Sequence, residues 1–130
     1  MRLLLLTLLF VLPLSAFSQK EIKLRKKYFG KYKGVIPAYK MNANNEIVEV
    51  GETTIYIDIF KEQIMVKVGN NIRYGTYEVM FKADKYFLLD ATIEGQLATE
   101  RIMVYKRGRK IARDGMFPQP VTELERYAKK

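Results

Sequence analysis

Asp58 and Asp90 each interrupt an otherwise apolar strand-like run, where a carboxylate needs a reason. One reason is ligand binding or proton transfer, because a desolvated carboxyl holds its proton to higher pH. The other is that each points to water from a mixed strand face, Asp58 beside Tyr56 and Phe60, Asp90 beside Tyr86, Leu88 and Thr92. The nine tyrosines offer a second route to chemistry. A Tyr next to Lys or Arg can take a proton beside a carboxylate, as a lyase of acidic polysaccharides needs. Spacing selects no single Tyr for that role, and in strands Tyr ordinarily packs with its hydroxyl at the surface. Tyr56, Asp58, Tyr77 and Asp90 are therefore ligand-pocket candidates, and no residue is assigned as catalytic.

The rest of the composition narrows the chemistry further. The chain has no His, Cys or Trp, and its only serines are Ser15 and Ser18. Without Ser, His or Cys in the body of the chain there is no Ser-His-Asp or Cys-His catalytic set. The thiolates and imidazoles of an ordinary zinc site are missing too. Residues 42–52 are polar but lack the regular acidic spacing of a calcium loop. The expectation is a non-enzymatic protein with no metal and no cofactor.

The N-terminus reads as an export signal. Met1-Arg2 is a short positive start, Leu3 to Leu14 is apolar, and Ala16-Phe17-Ser18 offers small residues at a cleavage site. The apolar run is shorter than the ~20 residues of a membrane helix. Cleavage after Ser18 leaves 112 of the 130 residues, one domain, expected to be soluble in a periplasm or outside the cell. No later stretch is apolar enough to span a bilayer.

The elements that must position the candidate residues are short strands. Residues 28–117 alternate β-rich runs with turn signals at close spacing, most clearly at Thr53–Phe60, where Ile55, Ile57 and Ile59 share one face. No crossover helix separates the runs, so the pattern predicts an all-β, antiparallel up-and-down meander of seven or eight strands in a closed or nearly closed barrel. Gly75 is read as a bulge. Thr122-Glu123-Leu124-Glu125 has the form of a capping box, which predicts a C-terminal helix at about 122–129 with Leu124 and Tyr127 facing the barrel. Tyr32, Ile36, Ile55, Ile57, Ile59, Val66, Tyr77, Val79, Phe87, Leu89 and Val104 are the predicted interior, large enough together to fill a barrel of this size.

Phe29-Gly30-Lys31-Tyr32-Lys33-Gly34 resembles the Gly-x-Trp opening of lipocalins and related calycin barrels, with Tyr32 where that family has Trp. The resemblance implies a barrel that carries a small apolar ligand. It also implies a basic residue from the last strand packed across the opening aromatic, which assigns barrel closure to Tyr32 and Arg113.

Charge is distributed unevenly. Residues 20–33 carry a net +6, residues 101–113 another +6, and residues 34–100 a net −4. If the first and last strands are neighbours, the two basic segments form one face, with Lys31, Lys33, Arg107, Arg109 and Lys110 as its anion-binding candidates. An acidic envelope polymer, lipid headgroups or an acidic protein would suit it. Tyr28, Phe29, Tyr32 and Tyr105 could also stack nucleic acid bases, but an exported protein does not meet that partner.

Overall fold

The computed structural model describes residues 22–114 and 119–128; the segment expected to be an export signal lies outside them. A single 3-10 turn, Lys26–Tyr28, precedes ten strands. These are β1 (Gly30–Ile36), β2 (Tyr39–Ala43), β3 (Glu46–Val50), β4 (Thr53–Ile59) and β5 (Gln63–Val68). They continue as β6 (Asn71–Lys82), β7 (Tyr86–Ile93), β8 (Glu100–Tyr105), β9 (Lys110–Asp114) and β10 (Thr122–Ala128). Eight of them close a barrel in the order β1-β10-β9-β8-β7-β6-β5-β4, every neighbouring pair antiparallel.

Strands β2 and β3 leave the barrel as a separate hairpin between β1 and β4. Its turn residues Asn44 and Asn45 both have positive φ, 50° and 66°. That is the geometry whose twist matches a two-residue hairpin.

The expected C-terminal helix is a strand. In β10, Leu124 is fully buried while Tyr127 is 55% exposed, so residues three apart lie on opposite faces. Thr122 and Leu124 point inward, Glu123 and Glu125 outward, the period of a strand. A capping box stabilises a helix end by about 1 kcal/mol. Pairing with both β9 and β1 satisfies two ladders of backbone groups at once and closes the barrel. Gly34 permits that closure, since a Cβ there would sit 2.5 Å from the Glu123 carbonyl oxygen. The bulge expected at Gly75 falls instead between Val79 and Phe81.

The interior is filled by side chains. Ile55, Ile57, Ile59, Leu89, Ile102, Val104, Ile111 and Leu124 are 0% exposed, which leaves no water-sized void against them. Every predicted interior residue is buried except Val79, which is half-buried against the core.

Candidate functional site

The alternating strand directions give the barrel two distinct ends. At the lower end lie the start of β1, the β6–β7 and β8–β9 turns and the end of β10. At the upper end lie the β2–β3 hairpin, the β7–β8 loop and the start of β10.

The N-terminal segment folds across the lower end. Tyr28 is buried and meets Phe87 edge-to-face at 5.2 Å, joining β1 to the strand opposite it in the barrel order. Tyr32 donates its hydroxyl to the Tyr28 carbonyl at 2.7 Å. Burial pushes the Tyr32 phenol above its ordinary pKa, and Arg126 beside it opposes the shift. Arg126 is Tyr32's register partner on β10 and donates to the Lys27 carbonyl at 2.6 Å. Barrel closure is therefore Tyr32 with Arg126, not Tyr32 with Arg113. β10, where the capping box predicts a helix, supplies the residue.

Arg113 is committed elsewhere. It points into the upper end of the barrel, where Nε bonds Glu100 Oε1 and Nη1 donates to Gln119 Oε1 at 2.6 Å. Glu100 is 2% exposed and Arg113 6%. Glu100 Oε2 has no hydrogen-bond partner among the described residues.

The two basic segments do not fuse into one wall, because β10 lies between them and brings Glu123 and Glu125. Lys33 and Lys110 both flank Glu125 in register, so they sit on the barrel wall beside an acid. Lys31 stands at the lower edge of that wall, opposite Asp58 on β4. Arg107 and Arg109 occupy the β8–β9 turn at the lower end, where the Arg126 amide donates to the Arg109 carbonyl at 2.9 Å.

Positive charge collects instead around the Tyr28–Phe87 pair. Lys27 Nζ lies 5.0 Å from the Tyr28 ring centre. Lys82 and Lys106 Nζ lie 6.0 and 5.4 Å from that of Phe87. The Lys106 amide donates to the Lys85 carbonyl at 2.9 Å, tying the β8–β9 turn to the β6–β7 turn. Among the described residues none of these three ammonium groups is in an ion pair. Lys106 belongs to the basic segment 101–113, whereas Lys82 lies outside both basic segments, and only the fold brings it beside Lys106.

The four pocket candidates do not converge. Tyr56 and Asp58 face outward on β4, Asp90 faces outward three strands away on β7, and Tyr77 faces inward on β6. Tyr77 donates to the Phe60 carbonyl at 2.5 Å and accepts from the Glu62 amide at 3.3 Å. Burial also raises its pKa, which disfavours the phenolate a proton-abstracting base requires. Asp90 lies between Glu78 and Arg101 in register and is half-buried, whereas Asp58 is only 8% exposed despite its outward position.

Beside the lower end an open cleft of about 1050 Å³ separates the N-terminal segment from β6, lined by Leu24, Phe29, Tyr77, Val79 and Met80 with Lys23 at its edge. Among the described residues no group of acidic side chains is arranged to hold a metal, and no helix is long and apolar enough to cross a membrane.

The class this geometry defines is a closed eight-stranded antiparallel β-barrel, compatible with a calycin-like architecture. Comparison with known protein families, with curated proteins and with solved structures finds no match.

Proposed function

We propose that the chain is an exported, non-catalytic binding module that takes anionic partners at the lower end of its barrel. The observation that carries this reading is the set of Lys27, Lys82 and Lys106 around the Tyr28–Phe87 pair, with Arg107 and Arg109 in the adjoining turn. Cations held over aromatic faces are partly desolvated and fixed in place, so they lose less entropy on meeting an anion than free surface lysines do. Export rests on the N-terminal sequence alone. A lipocalin-like carrier of a small apolar ligand is the alternative; with the interior filled, it would use the cleft beside β6.

The test is salt elution from an immobilised polyanion, dextran sulfate, comparing the protein with a Lys82→Gln/Lys106→Gln/Arg107→Gln/Arg109→Gln variant. The variant should elute at markedly lower salt while its melting temperature stays nearly constant, because exposed charges contribute little to folding. Equal elution of the two proteins would refute the reading.

A further inference from the structure

The outer wall of the barrel holds a second array, on strands that the lower-end cluster does not use. Register places Lys110, Glu125, Lys33, Tyr56 and Lys67 in one transverse row across β9, β10, β1, β4 and β5. All five side chains point outward, by alternation with the buried Ile111, Leu124, Tyr32, Ile57 and Val66. With strands ~4.8 Å apart, the row runs for about 19 Å along the surface.

Tyr56 is the centre of the row. Lys33 Nζ lies 5.6 Å and Lys67 Nζ 5.5 Å from its ring centre, one from each neighbouring strand. Tyr127 meets the same ring at 6.1 Å and 74°, standing as a wall beside it. Asp58, two residues along β4, lies beneath, and together with burial its charge holds the Tyr127 phenol above its ordinary pKa.

We infer that this row is a binding site for a carboxylated polysaccharide, a polymer with one carboxylate and several hydroxyls per charged sugar. The inference rests on the anion-binding reading and assigns it a ligand class, but through different residues. Lys33 and Lys67 bracket Tyr56 and would hold carboxylates on either side of a sugar whose C–H face lies against the exposed Tyr127 ring. Glu125, exposed between Lys110 and Lys33, accepts sugar hydroxyls.

The same features oppose nucleic acid. The Tyr56 face is covered by ammonium groups, and two rings at 74° present no parallel platform for successive bases.

The experiment measures affinity of the purified protein for polygalacturonate, with dextran sulfate, neutral dextran and single-stranded DNA as comparison probes at one salt concentration. A Lys67→Gln/Tyr127→Ala variant changes the row. A Arg107→Gln/Arg109→Gln variant changes only the lower end. The row variant should lose about tenfold in polygalacturonate affinity, the scale of one ring contact and one charge contact together, and keep its affinity for dextran sulfate. The lower-end variant should do the reverse. Unchanged polygalacturonate binding by the row variant overturns the inference, as does binding of DNA as tight as that of polygalacturonate. If the protein binds dextran sulfate but not polygalacturonate, the wall inference falls and the anion-binding reading stands. If it binds neither, both fall.

Discussion

Arg113 and Arg126 stand inward on neighbouring strands, near opposite ends of one barrel, the first buried and the second half-buried. At the upper end Arg113 is matched with Glu100, charge against charge, with Gln119 taking a further guanidinium proton. At the lower end Arg126 meets neutral groups, the Lys27 carbonyl and the Tyr32 hydroxyl. The difference follows from depth. A guanidinium that is 6% exposed cannot be left uncompensated, because desolvation costs several kcal/mol per ion. One that is half-buried at a rim remains partly solvated, and carbonyl oxygens suffice. The upper end pairs its buried charges with each other, whereas the lysines around the lower end are in no ion pair among the described residues.

The sharpest way to break this contrast is to remove one partner at each end. Glu100→Ala should destabilise the protein by about 3–5 kcal/mol in urea unfolding, since it strands Arg113 in the interior. Arg126→Ala should cost much less, because the groups it leaves are neutral and near water. If the two cost the same, the ends are not held by different means.

A second measurement separates the strand from the helix that the local sequence favoured. Leu124→Ala should cost about 2–5 kcal/mol, as truncation of a fully buried core residue does. Tyr127→Ala should cost under about 1 kcal/mol, since its side chain lies outside the barrel. A helix packed through both residues would make the two costs comparable.

That error shows where the sequence stopped being legible. The alternation of Ile55, Ile57 and Ile59 against Tyr56 and Asp58 is local, and it located β4 and its inward face without any partner. Thr122-Glu123-Leu124-Glu125 carries two local signals at once, a capping box and a period-two alternation. Only the unpaired edges of β1 and β9, far away in sequence, decide between them. With β10 expected as a helix, β9 is the last strand in the sequence reading, which puts the closure residue at position 113 rather than 126. The wall row has the same limit. Lys33, Tyr56 and Lys67 occupy three separate runs, and only the register of β1 on β4 and of β4 on β5 aligns them. The tight turn between Ile59 and Ile64 was the one available signal, since it fixes Tyr56 opposite Lys67 by counting back.

The smallest effect tests the lower end through its hydroxyl. Tyr32→Phe removes the hydrogen bond to the Tyr28 carbonyl and should cost about 1 kcal/mol at neutral pH. The alkaline limb is more informative. Burial raises the Tyr32 phenol above its ordinary value of 10.0, and Tyr77 is raised for the same reason. As pH climbs through 10, tyrosines in the unfolded chain release their protons first, while these two keep theirs in the folded state. The folded state then binds more protons than the unfolded one, so stability falls with rising pH. Below the unfolded value the contribution is intact, and it is lost as pH rises through the raised folded values. Urea unfolding followed from pH 8 to pH 11 should show a steeper decline for the native protein than for Tyr32→Phe, and a shallower one still for Tyr32→Phe/Tyr77→Phe. At Tyr32 the Arg126 guanidinium opposes the shift and at Tyr77 the Glu62 amide does, so each single variant should flatten the limb in part. A Tyr32→Phe limb as steep as that of the native protein would mean that the Tyr32 phenol titrates in the folded chain as it does in the unfolded one, and that burial at the lower end does not reach it.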